Sequence, residues 1–235
     1  MAKLYLIPTA LSLGRMDHIP PAVSELIHQI DLFVVERLRS ARRYLKNLDR
    51  DYPIDDVTFI EIDKHDPSSS YRQIRELLGK SKNAALLSEA GCPCIADPGA
   101  AIVNIARAVG MQICPLTGPS SIMLGLMSSG MNGQQFCFHG YLPIRESELI
   151  QKLRSISKDA EKNNATQIFI ETPYRNNKLL QKILKSVSKD LSLSVAMDLT
   201  GPAEKVDTRP LPEWKGAILE KTPAIFCLGK PVQMY

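Results

Sequence analysis

The residues best suited to chemistry lie in two turns. One is Ser88-Glu89-Ala90-Gly91-Cys92-Pro93-Cys94-Ile95-Ala96-Asp97-Pro98-Gly99. The other is Thr117-Gly118-Pro119-Ser120-Ser121. Glycines let a backbone approach a ligand closely, prolines stiffen the turn, and small side chains leave room for a small molecule. The pattern fits a ligand cradle or a pair of tight structural turns. There is no Gly-x-Gly-x-x-Gly fingerprint and no Gly-Lys-Ser/Thr loop, which disfavours a standard dinucleotide site and a Walker-type NTPase. Cysteines 92, 94, 114, 137 and 227 are odd in number, and Cys92-Pro93-Cys94 has no second Cys or His cluster to complete a zinc site, so no metal is expected.

Short apolar runs and helical patterns must position these turns. Ala84–Leu87 reads as a strand feeding the first turn, followed by a helix carrying Ile102, Ile105, Ala106 and Val109, then a strand over Met111–Leu116. In such βαβ units, ligands sit beyond the carboxyl ends of the strands. A helix over 120–130 follows, with Ser120 or Ser121 as its cap. Upstream, Leu4–Ile7 is a first strand ended by Pro8-Thr9, Val23 to Ile30 an amphipathic helix, Asp31–Glu36 a second strand and Val57–Ile62 a third, with a serine of 68–70 capping the next helix. The helix from Arg37 to Leu48 pairs an apolar face (Leu38, Ala41, Leu45, Leu48) with a basic stripe (Arg39, Arg42, Arg43, Lys46). That stripe fits a solvated face or a contact with nucleic-acid phosphates. Downstream, Phe136–Pro143, Gln167–Glu171, Leu193–Met197 and Lys221–Gly229 read as strands, Trp214–Leu219 as a strand or edge segment, and helices precede and follow Gln167–Glu171. The fold class is α/β, with an N-terminal α/β domain over 1–117 and a C-terminal α/β domain over 118–235.

The chain has 235 residues, 44% hydrophobic and 23% charged, as in ordinary soluble globular proteins. Its apolar runs are too short to cross a bilayer, and the segment after Met1 is too short for a secretory leader, so a cytoplasmic protein without a membrane role is expected. A net charge of +4 permits a nucleic-acid partner without requiring one.

The two turns, as Ser88-Glu89-Ala90-Gly91-Cys92-Pro93-x-Ile95-x-Asp97-Pro98-Gly99 and Pro115-Leu116-x-Gly118-Pro119-Ser120, resemble the tetrapyrrole methylase superfamily of S-adenosylmethionine-dependent methyltransferases. Within it the chain is most similar to the branch that methylates small-subunit ribosomal RNA. Glu36-x-x-Arg39, Phe138-x-Gly140-x-Leu142-Pro143 (with Tyr141 for Phe), Glu171-x-Pro173-x-Arg175 and Leu199-Thr200 match that branch. The Thr9–Asp17 loop, Arg37-Leu38, Tyr174 and Gly201 depart from it, and at Gly201 a basic residue of the relatives is lost.

The resemblance implies a cofactor cleft between the two domains. Pro8, Glu89, Ala90, Gly91, Cys92, Pro93, Ile95, Gly118, Ser120 and Ser121 would contact S-adenosylmethionine from one side, and Thr172, Leu199, Pro223 and Ala224 from the other. It implies ribosomal RNA or the small subunit as partner, with Arg39, Arg42, Arg43 and Arg175 on RNA, and a homodimer. For a ribose 2′-hydroxyl acceptor, Glu36 or Glu89 is the carboxylate to take or orient the proton. Methylation of a small tetrapyrrole and non-catalytic RNA binding are the alternatives.

Overall fold

The computed structural model describes residues 1–12, 14–63 and 66–231, so Leu13 of the Thr9–Asp17 loop lies outside it. The chain forms two compact units, Met1–Ser120 and Ser121–Tyr235. The boundary expected between 117 and 118 falls inside a loop that still belongs to the first unit.

In chain order the first unit contains β1 (Lys3–Ile7), α1 (Ala22–Leu26), β2 (Leu32–Val35), α2 (Leu38–Leu48), β3 (Thr58–Glu61), α3 (Pro67–Leu78), β4 (Asn83–Leu87), α4 (Ala100–Ala108) and β5 (Gln112–Pro115). The strands form one sheet in the order β3-β2-β4-β1-β5, every neighbour parallel. Parallel strands need crossovers, and these bury both faces of the inner strands, which is why β1, β2 and β4 read as apolar runs, whereas the outer β3 and β5 stay partly exposed. Tyr5, Ile7, Phe33, Val35 and Leu87 pack with α1 and α2 on one face; Leu4, Val34 and Leu86 pack with α3 and α4 on the other. Three sequence readings need correcting. The helix after Pro21 breaks into a 3-10 turn at Ile27–Gln29. On α2, Tyr44 is buried while Leu38 is exposed. The N-cap of α3 is Asp66, and Ser69 lies within its first turn, donating from Oγ to the Asp66 carbonyl at 2.7 Å.

The second unit contains α5 (Ser121–Ser129), β6 (Phe136–Tyr141), α6 (Glu146–Asn163), β7 (Thr166–Glu171), α7 (Asn176–Ser186), β8 (Ser192–Met197), β9 (Lys205–Pro210) and β10 (Ala224–Gly229). Its sheet runs β6-β7-β10-β8-β9, parallel only between β6 and β7. One face packs on α6 and α7 through Phe169, Val195 and Phe226; the other packs on α5 through Ile168, Ala196 and Ile225. Trp214–Leu219 is not a strand: Leu211–Trp214 is a 3-10 turn whose indole is buried. The Trp214 Nε1 donates to the Leu193 carbonyl at 3.1 Å, and the Arg209 guanidinium lies over the ring at 5.0 Å.

Trp214→Ala is expected to lower unfolding free energy by about 3–5 kcal/mol. Trp214→Phe, which removes the donor and little volume, should lower it by about 1–3 kcal/mol. Urea midpoints followed by circular dichroism check both; no loss in Trp214→Phe would mean the hydrogen bond contributes nothing.

Candidate functional site

β1 and β4 run side by side to Ile7 and Leu87. Beyond that register their exits stay tied. The Thr9 N–H donates to the Gly91 carbonyl at 2.9 Å, and the Gly91 N–H donates to the Thr9 carbonyl at 3.1 Å. The Gly91 carbonyl also accepts the Ser88 hydroxyl at 3.1 Å. Gly91 has φ +79, a conformation that favours glycine.

The exit of β5 joins the same platform. A Cβ on Gly118 would lie 2.1 Å from Pro8 Cβ, so only glycine allows the approach. The Cys92 Sγ donates to the Gly118 and Pro119 carbonyls, each at 3.5 Å. Burial pushes the Cys92 thiol up, which keeps it a donor. From α2, the Tyr44 hydroxyl donates to the Pro8 carbonyl at 2.6 Å, and burial pushes that phenol above its usual range. Pro8, Gly91, Cys92 and Gly118, four of the expected donor contacts, thus share one knitted edge.

The rest of the loop is strained and braced. Cys94 and Ala96 have φ +70 and +63. Left-handed backbone costs a non-glycine residue roughly 1–2 kcal/mol. Asp97 braces it: Oδ1 accepts the N–H groups of Cys94 and Gly99, both at 2.8 Å. Its Oδ2 is buried with no hydrogen-bond partner. Burial raises the Asp97 carboxyl above the usual range, the Glu36 charge adds to this, and the two backbone donors oppose it. Ala90 and Ile95 stand exposed, Pro93 is buried, Ser120 ends the first unit, and Ser121 opens α5.

The two candidate carboxylates are neighbours. Glu36 leaves β2, and its Oε1 accepts the Glu89 N–H at 3.3 Å. Glu89 Oε2 accepts the Ser40 hydroxyl at 3.2 Å and lies 3.8 Å from Arg37 Nε. Glu61, at the end of β3, accepts the Leu38 N–H at 2.8 Å and so caps α2, where Arg37 provides no side-chain cap. On the basic stripe, Arg42 is held by Asp55 at 2.6 Å and lies over Phe59 at 5.9 Å. Arg39 and Arg43 are exposed and carry no ion pair or hydrogen bond among the described residues.

In the second unit, Ala224 on β10 sits opposite both Glu171 on β7 and Met197 on β8. Thr172, Leu199, Pro223 and Ala224 therefore lie at the same end of the three central strands. The Glu171 side chain is fully buried. Its Oε1 accepts the Thr172 N–H at 2.7 Å and hydroxyl at 3.2 Å. Arg175 Nη2 lies 3.0 Å from Oε2 without hydrogen-bond alignment, so the guanidinium expected on RNA is held against an internal carboxylate. Leu199 lies between two left-handed residues, Asp198 at φ +48 and Thr200 at φ +66. A Cβ at Gly201 would lie 2.2 Å from Asp198 Oδ1, so a side chain there would require the carboxylate to move.

Thr9, Tyr44, Glu61 and the bracing role of Asp97 escaped sequence reasoning. Tyr44 carried a usable signal, three residues after Ala41 and beside Leu45. Among the described residues, no group of three or more His, Cys, Asp or Glu side chains is placed to hold a metal, and no helix is long and apolar enough to cross a membrane.

The family model for tetrapyrrole (corrin/porphyrin) methylases matches residues 3–214. The chain belongs to this family. Membership makes it an S-adenosylmethionine-dependent methyltransferase. Ribosomal RNA small subunit methyltransferase I of Vibrio cholerae serotype O1 is 30% identical, over 89% of this chain and 69% of that protein. The Bacillus subtilis protein of the same name is 29% identical, over 87% and 66%. The chain thus spans about two thirds of these relatives' length. The structure of uroporphyrin-III C-methyl transferase from Thermus thermophilus, complexed with S-adenyl homocysteine, shares the fold with a TM-score of 0.61, 15% identity and full coverage of both chains.

The raised Asp97 carboxyl gives a signed expectation. Folded protein holds that proton more tightly than unfolded chain, so the group's contribution to stability is full below the ordinary carboxylate range and fades as pH rises through the raised value. Asp97→Asn keeps the Oδ1 acceptor and cannot ionise. Urea unfolding at several pH values from about 4 to about 7 should show stability shifting toward the variant as pH rises; a difference constant with pH would overturn this.

Proposed function

We propose that the chain transfers a methyl group from S-adenosylmethionine to small-subunit ribosomal RNA, at a ribose 2′-hydroxyl. The observation that carries this is the knitted exit of β1, β4 and β5 beside the paired carboxylates Glu36 and Glu89. The residues suit a cationic sulfonium: Glu36 and Glu89 are close at hand, and Asp97 offers an unpartnered buried oxygen. When bound, the sulfonium supplies an electrophilic methyl group. The platform would hold it through backbone groups of Pro8 and Glu89 to Ile95, with Gly118, Ser120 and Ser121. Thr172, Leu199, Pro223 and Ala224 are the proposed contacts from the second unit.

The chain's own contribution is positioning, since in-line displacement needs donor and acceptor aligned and can gain several kcal/mol from it. Glu36 accepts or orients the hydroxyl proton, and Glu89, which donates its backbone N–H to Glu36, holds that carboxylate in place. Arg39 and Arg43 contact phosphate; Arg42 and Arg175 do so only by exchanging Asp55 and Glu171. A homodimer in the cytoplasm completes the reading.

Calorimetry should show saturable binding of S-adenosylhomocysteine. Labelled donor should mark small-subunit RNA, and alkaline hydrolysis should leave one phosphodiester uncut beside the methylated ribose. Glu36→Gln should lower the rate about 10²–10⁴-fold while preserving S-adenosylhomocysteine affinity. Label appearing on a uroporphyrinoid instead would move the chain to small-molecule methylation. Binding of RNA without transfer would make it a non-catalytic binder.

A further inference from the structure

The turn Thr172-Pro173-Tyr174-Arg175 leads directly into α7, and together they show a pattern the donor site does not use. Leu179, Leu180 and Ile183 bury one face of α7. The other carries Lys178, Lys182 and Lys185 at i, i+4 and i+7, continued by Lys189 just beyond the helix. No acid occurs from Asn176 to Lys189. Like charges at this spacing oppose helix formation, and an ordinary solvated face mixes signs to avoid it. Two other helices do mix them: α3 pairs Arg72 with Glu76, and α6 intersperses Glu146, Glu148, Asp159 and Glu161 among its bases; α2, with Arg39, Arg42, Arg43 and Lys46, shares the lack of acids.

Among the described residues, one acid is ion-paired to a lysine of this face. Glu146, from the first turn of α6, is bonded to Lys182. That bond holds its carboxyl below the usual range, and the charges of Lys178 and Lys185 act in the same direction. Lys178, Lys185 and Lys189 are exposed and carry no ion pair or hydrogen bond among the described residues. Tyr174, in the turn just before, is 86% exposed, and its ring touches no other ring or cation among the described residues.

We propose that Tyr174 and the lysine face of α7 form a binding surface for single-stranded RNA, the ring stacking on a base and Lys178, Lys185 and Lys189 neutralising phosphates. This rests on the RNA-acceptor reading above and extends it to a surface outside the donor site. Lys178 to Lys185 spans about 10 Å of helix, room for about three phosphates of a stacked strand. An exposed aromatic beside a cationic track suits an unpaired strand, because stacking requires a base splayed from its neighbours.

The test is fluorescence anisotropy with a labelled, unstructured RNA oligonucleotide and the full chain, repeated over a range of salt. Removing three phosphate contacts in Lys178→Ala/Lys185→Ala/Lys189→Ala should flatten the slope of log affinity against log salt by about 2. Tyr174→Ala should weaken binding about tenfold at unchanged slope, and Tyr174→Phe should restore it. Glu146→Gln frees Lys182 and should tighten binding and steepen the slope. Thermal melts confirm that each variant folds. If the wild type binds RNA and the triple variant keeps its affinity and slope, the proposal is overturned while the acceptor reading stands. If the wild type binds no RNA, both fall. A preference for duplex over single strand would overturn the stacking role of Tyr174.

Discussion

The first unit depends on what happens to the backbone where a parallel sheet stops. Past Ile7 and Leu87 the ladder has no further partners, and buried N–H and C=O groups left alone are costly. The reciprocal bonds of Thr9 and Gly91 extend pairing one step into the loops, and they require the chain to turn at φ +79 on Gly91. Everything chemically interesting hangs from that step. It fixes where Glu89 leaves β4, hence where the Glu89 amide meets Glu36, and it brings Cys92 to the Gly118 and Pro119 carbonyls. Tyr44 transmits the position of α2 to the same edge through the Pro8 carbonyl, so the basic stripe and the donor turns are set by one framework.

The second unit solves a similar problem with charge. A carboxylate with no exposure is destabilising unless paired and hydrogen-bonded. Glu171 meets that condition by gripping the Thr172 amide and hydroxyl on one oxygen and facing Arg175 with the other. The turn carrying Thr172 is therefore held from beneath, and Tyr174 is left at its crest.

Local pattern revealed much of this architecture. The βαβ unit from Asn83 to Pro115 was legible because β4 is a buried apolar run, a helical pattern follows, and Gly110 and Pro115 bound the short β5, and the two ligand-shaped turns because their residue types serve few other purposes. The strand β9 was not legible: Lys205, Asp207, Arg209 and Pro210 look like a loop, yet they are what an edge strand uses to discourage pairing with another chain. The exchange of Leu38 for Tyr44 on the buried face of α2 reflects a partner 36 residues away, the Pro8 carbonyl, which helical periodicity does not encode. The Glu61 cap and the Asp97 brace are likewise contacts made by folding rather than by spacing. Gly201 read as a lost cation; a side chain there would meet the Asp198 carboxylate, which would have to move.

The left-handed residues Cys94 and Ala96 have a consequence for how this protein would respond to selection for heat resistance. Glycine at either position would relieve roughly 1–2 kcal/mol of native strain, a net gain where the extra freedom it gives the unfolded chain costs less than this. The same change would let the segment between Gly91 and Gly99 sample many shapes, loosening the turn that Asp97 keeps single. Screens that score only survival after heating would enrich those variants, and screens that score turnover would discard them.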